Sequence, residues 1–169
     1  MKFKSLLVLA LAIGVSVASR AEKAPHLGVE SPRALWVTTG FWSYHQANRA
    51  YYNQDNKGLG LEAAVDDNWA VAFGRYRNSV REQSTYVQAV WTPDATQFRF
   101  GELRITGGVA FGVVNGYPDM RKGKVFPAVL PVASVEYGRV GFNVTYIPTI
   151  VGKVDGAIAI QLKVKAIEF

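Results

Sequence analysis

The chain has 169 residues, a formal charge of +6, no cysteine and two histidines, with 49% hydrophobic and 19% charged residues. One domain is the default at that length, and an aromatic content of 12% with so little charge argues against disorder. The missing cysteines exclude disulfide frameworks, thiol nucleophiles and Cys-based zinc sites, and His26 and His45 are too few for a multi-histidine metal centre.

The first 21 residues read MKFKSLLVLALAIGVSVASRA. Lys2 and Lys4 make a basic start, Leu6 to Val17 is an uncharged apolar run, and Ser19 and Ala21 are the small residues of a cleavage site. This is a secretory signal pattern, and the run is short for a transmembrane helix. Cleavage after Ala21 removes Lys2, Lys4 and Arg20, leaving sixteen basic and thirteen acidic residues, or +3. Half of the apparent basicity belongs to the export signal, so a nucleic-acid partner is not expected. Residues 22–34 are expected to form a periplasmic N-terminal segment. Pro25, Gly28 and Pro32 keep it from forming a helix of useful length.

After that segment no long helical stripe occurs, and alternating runs recur instead. They predict eight strands, near residues 35–43, 57–65, 69–76, 84–92, 98–112, 125–135, 140–147 and 157–165. The connections alternate in length. Short turns are expected at 66–68, 93–97 and 137–139, and longer loops at 44–56, 77–83, 113–124 and 148–156. An even strand number with short turns at one end and long loops at the other describes an all-β, eight-stranded antiparallel up-and-down barrel spanning 35–169.

The size of the two faces separates a soluble barrel from a membrane one. Trp69, Val71 and Phe73 alternate with Ala70, Ala72 and Gly74. Leu103, Ile105, Val109 and Phe111 alternate with Arg104, Thr106, Gly108, Ala110 and Gly112. Val140, Phe142, Val144 and Tyr146 alternate with Gly141, Asn143 and Thr145. A bulky apolar face opposite a small one suits a barrel whose outside is solvated by hydrocarbon, so a transmembrane barrel in the outer membrane is expected. The last strand has a phase conflict: Ile158 to Val164 lie on even positions, whereas Ile167 and Phe169 are odd. Either a bulge intervenes or 166–169 lies beyond the strand.

With the N-terminus in the periplasm, the long loops face outward. They carry Arg49, Arg77, Arg81, Arg121, Lys122, Lys124 and Lys153 against Asp55, Glu82, Asp119 and Asp155, a rim of +3. A basic rim suits lipopolysaccharide phosphates, with Arg77, Arg81, Arg121 and Lys122 as the expected contacts. The same charges also suit plainly solvated loops.

At the sixth and seventh strands, FPAVLPVASVEYG at 126–138 and VGFNVTYIP at 140–148 resemble the C-terminal half of the lipid A palmitoyltransferase (PagP) family. The shared elements are Pro127, Leu130-Pro131, Ala133-Ser134, Tyr137-Gly138 and Tyr146-Ile147-Pro148. A looser likeness runs through Trp42-Ser43-Tyr44-His45, Tyr52-Asn53 and Gly58-Leu59-Gly60. Proline gives no backbone donor to a ladder. Pro127, Pro131 and Pro148 therefore weaken pairing between these two strands near the outer leaflet. The resemblance implies that such a gap is a lateral lipid entrance. A local bulge without traffic is the alternative. The family's second gap, on the first strand, has no counterpart, because residues 35–43 contain no proline.

The resemblance also implies a catalytic group. His45 falls at the place of the family's first-loop histidine, and Asn78-Ser79 at the place of its Asp-Ser pair. His45 would act as general base, and Ser79 as the hydroxyl it activates or as a transition-state donor. Asn78 can position a group but cannot balance an imidazolium by charge. In a serine-hydrolase triad an Asp-to-Asn change costs about four orders of magnitude. The bland readings are a polar loop histidine and ordinary turn chemistry at Asn-Ser. Interior Ala70, Ala72, Gly74, Gly108, Ala110 and Gly112 leave room for an acyl chain. A polar plug pairing Glu62, Arg104 and Lys163 is the competing picture.

The resemblance thus implies an enzyme that moves a phospholipid acyl chain to lipid A, and no cofactor is expected. A monomer is expected because small barrels are often monomeric. Two alternatives stand beside it: a non-catalytic outer-membrane barrel that binds or modifies the lipopolysaccharide surface, and a lipid A deacylase.

Overall fold

The computed structural model describes residues 33–152 and 154–169. The expected export signal and nearly all of segment 22–34 lie outside the described residues. The strands are β1 (Ala34–His45), β2 (Asp55–Ala64), β3 (Trp69–Arg77), β4 (Gln83–Trp91), β5 (Gln97–Phe100), β6 (Leu103–Val114), β7 (Phe126–Tyr137), β8 (Val140–Ile147) and β9 (Ala157–Glu168). They pair in the order β4-β3-β2-β1-β9-β8-β7-β6-β5, and a further pairing of β4 with β6 closes the sheet into a barrel. On β6, Trp91 faces Val109 while Gln97 faces Thr106, so β5 continues the place that β4 leaves. The closed barrel has eight staves, one of them built from β4 and β5 in succession.

This corrects one expected strand. Residues 98–112 are two strands joined by a tight turn at Gly101-Glu102, and the turn expected at 93–97 holds a single 3-10 turn, Asp94–Thr96. Gly101 sits at φ +59°, a backbone conformation open to glycine at no steric cost. The missed signal was a change of phase: Phe98 and Phe100 point outward on even positions, Ile105 and Phe111 on odd ones. The other connections fall where alternation placed them. Turns 65–68, 101–102 and 138–139 lie at the end that also holds both described termini, and loops 46–54, 78–82, 115–125 and 148–156 lie at the other.

Two bulges set the interior. At Thr39-Gly40 the register of β1 slips against both neighbours, so the inward set changes from Trp36 and Thr38 to Phe41, Ser43 and His45. A Cβ on Gly40 would meet the Asn56 carbonyl at 2.0 Å, so no side chain fits at that crossing. On β9, Leu35 faces Ile167 but Trp36 faces Lys165, which leaves Ala166 as an extra residue. A bulge therefore resolves the phase conflict, and Ile167 turns outward. Phe169 N–H donates to Arg33 O at 2.8 Å and ties the two ends.

The outer wall is apolar. Leu59, Phe73, Val87, Val113, Val129, Phe142 and Ile158 are exposed on it, with Trp42, Tyr44 and Tyr146 toward the long loops and Trp69, Trp91 and Tyr137 toward the short turns. Such a wall, with aromatic residues at both edges, suits hydrocarbon rather than water.

The inside is stratified. Toward the short turns, Lys163 Nζ lies 2.5 Å from Glu62 and 2.7 Å from Glu136, and Arg104 lies 3.7 Å from Glu136. Asn143 Nδ2 donates to the other Glu62 oxygen at 2.7 Å, and the Lys163 ammonium sits 4.8 Å from the Trp36 ring centre. The competing picture of a polar plug is thus built, with Glu136 as a fourth member. Above it stand Phe41, Tyr76 and Tyr86, with ring centres 4.9 to 6.0 Å apart. The expected small-residue interior is partly filled by these rings. Gly60 and Gly74 face the Tyr86 ring rather than open space.

Candidate functional site

The candidate site lies at the long-loop end, above the three rings. His45 closes β1 and is 5% exposed. Its Nδ1 is 3.3 Å from Gln54 Oε1, an oxygen that also takes the His45 backbone N–H at 3.4 Å. An amide oxygen accepts and cannot donate, so the neutral ring carries its proton on Nδ1 and keeps the Nε2 lone pair. Tyr52 stacks on the imidazole with centres 4.3 Å apart and planes 16° from parallel. Tyr52 Oη donates to Asp155 Oδ2 at 3.0 Å, and Asn48 Nδ2 donates to the same oxygen at 2.9 Å. These two bonds hold the Asp155 carboxyl below the usual carboxylate range, and the nearby imidazole adds to the effect. Burial, and then Asp155, push the Tyr52 phenol upward.

Asn78 and Ser79 follow β3 and are used differently. Asn78 is fully buried. Its Nδ2 donates to Ser84 Oγ at 2.9 Å and Gly116 O at 2.8 Å, and its Oδ1 accepts from Val80 N and Glu82 N at 3.0 and 2.9 Å. All four bonding positions of the amide serve the loop. The Ser79 hydroxyl makes no hydrogen bond with the described residues, while its carbonyl accepts from Asn53 N at 2.8 Å. That bond, with Arg81 Nη1 to Tyr51 O at 2.8 Å, ties loop 78–82 to loop 46–54. Ser79 and His45 consequently line one interior cavity, of about 150 Å³. Asn78 is not brought to His45; the carboxylate near His45 is Asp155, from loop 148–156.

The same cavity reaches the wall between β7 and β8. The β6–β7 ladder is continuous from Leu103–Tyr137 to Val114–Phe126, straight past Pro127 and Pro131. The β7–β8 ladder runs from Tyr137–Val140 and ends at Val132–Thr145. Residues 126–131 of β7 thus have no ladder partner on β8. The prolines lack their N–H on the side where pairing stops, which is how a proline fits a strand without breaking its other ladder. Pro148 follows the last residue of β8. Ala128, Leu130 and Ile147 line the cavity beside this gap. On the first strand the β1–β2 ladder resumes after its bulge.

The rim cations divide in two. Arg77 Nε donates to Arg81 O at 3.0 Å within the loop that follows β3, and Arg81 reaches Tyr51 to tie that loop to loop 46–54. Arg121 and Lys122 are exposed and carry positive φ, 50° and 57°, in the 115–125 loop. Their side chains make no hydrogen bond or ion pair with the described residues.

Sequence reasoning missed Gln54, Tyr52 and Asp155 as site residues. They sit in or at the edge of irregular loops, where no period marks which side chains converge. The nearest signal was Tyr52-Asn53, singled out as a motif fragment without a role.

No family model matches the sequence. The chain is 30% identical over 125 residues to the Lipid A acyltransferase PagP of Laribacter hongkongensis (strain HLHK9), a match that takes in 69% of this chain. It spans 56% of that relative's length. Among solved structures, the N-terminal β-barrel domain of Pseudomonas aeruginosa OprF aligns with a TM-score of 0.36 and 13% identity, over 80% of this chain and 98% of that one.

Proposed function

We propose that the chain, a distant homologue of PagP, is an outer-membrane barrel that moves an acyl chain from a phospholipid to lipid A. One observation carries this reading. His45 and Ser79 line a cavity that meets the barrel wall where the β7–β8 ladder is missing. A phospholipid in the outer leaflet enters there and brings its ester carbonyl toward the rim. His45 Nε2 takes the proton of the attacking lipid A hydroxyl as its oxygen bonds the carbonyl carbon. Ser79 shares no hydrogen bond with His45, so its free hydroxyl serves as donor to the oxyanion that develops. As the tetrahedral intermediate collapses, the proton passes from His45 to the leaving lysophospholipid oxygen. Asn78 holds the Ser79 loop in place. Arg121 and Lys122, free on the rim, meet lipid A phosphates.

One observation favours the second reading, a non-catalytic barrel at the lipopolysaccharide surface. A cavity near 150 Å³ is about what holds one benzene. A long acyl chain enters only if Phe41, Tyr76 or Tyr86 turns aside.

Mass spectrometry of lipid A from cells expressing the chain separates the readings. An added acyl chain that disappears in His45→Ala and Ser79→Ala supports transfer. Unchanged lipid A selects the non-catalytic barrel, and a missing acyl chain selects deacylation.

A further inference from the structure

Asn78 cannot provide the negative charge that a general-base histidine uses when it becomes an imidazolium, and its amide is committed to Ser84, Gly116, Val80 and Glu82. Another carboxylate, Asp155, reaches the imidazole through Tyr52. Gln46 N–H, next in the chain to His45, donates to Gly156 O at 2.9 Å, and His45 itself pairs with Ala157 on β9. Loop 148–156 is thereby pinned against the end of β1, with Asp155 at its edge. Asp155 takes hydrogen bonds from Tyr52 and Asn48, and Tyr52 in turn covers one face of the His45 ring.

We infer that Asp155 is a positioning residue for His45: it clamps Tyr52 flat against the imidazole and so fixes the ring's orientation at the cavity. The inference rests on the acyl-transfer reading for its purpose, but its geometry is independent of turnover. Asn48, Tyr52 and Asp155 come from the two loops that flank β1 and β9 at the rim, so His45 is held from across the first loop rather than by the residue before Ser79. The arrangement relocates the carboxylate and leaves Ser79 with a hydroxyl free for substrate.

The other charged and titratable groups around the ring are few among the described residues. Arg49 Nε donates to the His45 carbonyl at 3.0 Å, and its guanidinium lies over Tyr44 at 3.6 Å. Tyr51 meets Tyr52 edge-on at 5.0 Å, and Asp119 acts on Tyr52 from loop 115–125.

The test is the proton NMR spectrum of the His45 ring in the full chain folded in detergent micelles, with His26→Gln in the background to remove the other imidazole signal. Asp155→Asn keeps an oxygen acceptor for Tyr52 and Asn48, whereas Asp155→Ala removes it. The upfield ring-current shift that Tyr52 imposes on the His45 protons is expected to persist in Asp155→Asn and to be lost in Asp155→Ala, as it is in Tyr52→Leu. A ring-current shift unchanged in Asp155→Ala overturns the inference. If Asp155→Ala fails to fold, Asp155→Leu is read by the same criterion. The readout is the ring and not acyl transfer, so an inactive chain can pass this test and an active chain can fail it.

Discussion

A Cβ on Gly74 would lie 2.7 Å from the Tyr86 ring, so the two residues fit only because one of them has no side chain. They are direct partners across β3 and β4, and Gly60 is the partner of Gly74 on β2. The phenol therefore lies along the inner wall over two glycines, and its hydroxyl meets Gln161 Nε2 at 3.3 Å. Gly74→Ala forces the ring out of this bed and is expected to cost about 1–3 kcal/mol, the usual range for overpacking. Tyr86→Leu in the same chain relieves the clash, so the double variant loses less than the two singles summed. Urea unfolding in micelles measures all three. Strict additivity would show that the ring and the glycine do not share this space.

The plug beneath is charge-balanced, with Glu62 and Glu136 against Lys163 and Arg104. Lys163 is 2% exposed and touches both carboxylates. Lys163→Met takes the Lys163 cation from Glu62 and leaves Glu136 with Arg104, and removing one partner of a buried pair costs about 3–5 kcal/mol. Adding Glu62→Gln to Lys163→Met removes the uncompensated charge, keeps Arg104 with Glu136 and recovers most of that loss. Loss of heat-modifiable mobility on a gel at lower temperature gives the ranking. Equal stability of Lys163→Met and the parent chain would mean the network contributes nothing.

The barrel was legible because alternation is a strong code. Val140–Ile147 matches its expected bounds to the residue, and Trp69, Val71 and Phe73 point outward as their size demanded. Phase slips inside a stave were less legible. Ala166 announced itself only as an even-to-odd conflict, and the break between Phe100 and Leu103 passed as one long strand. The site was half legible. His45 and Ser79 came from a motif, whereas Asp155 reached His45 through Tyr52, a contact made by loop closure across more than a hundred residues. No local pattern encodes such a contact. The filling of the lumen was likewise hidden. Gly74 read as open space, and the ring that occupies it comes from the neighbouring strand.

Asn78→Asp tests whether a carboxylate before Ser79 would make a better catalyst. In this chain it would not. The Asn78 amide donates to Gly116 O at 2.8 Å, and a carboxylate there sets two acceptors against each other. The half-buried Gly116 carbonyl also loses its donor. The expected cost is about 1–3 kcal/mol, that of leaving a buried polar group unsatisfied. Acyl transfer is expected to fall with the displaced loop. A denaturation midpoint at or above the parent value, together with faster transfer, would show that the residue before Ser79 still works as a charge partner.

The lateral gap gives the most direct test of lipid entry, because the chain contains no cysteine and a single one can be labelled cleanly. Leu130 lines the cavity beside the unpaired stretch of β7, while its neighbour Val129 is 66% exposed on the outer wall. Leu130→Cys, folded first and then coupled to a bulky maleimide, places the adduct in the gap without asking the chain to fold around it. Val129→Cys carries the same adduct into the surrounding detergent or lipid. Transfer from a phospholipid donor is expected to fall about tenfold or more for labelled Leu130→Cys, roughly 1.4 kcal/mol in the barrier, and to hold for labelled Val129→Cys. A water-soluble short-chain ester that reaches His45 from the rim should be insensitive to both labels. If the Leu130 adduct leaves phospholipid transfer intact, the acyl chain does not enter between β7 and β8. The prolines there would then relieve the ladder without opening a route.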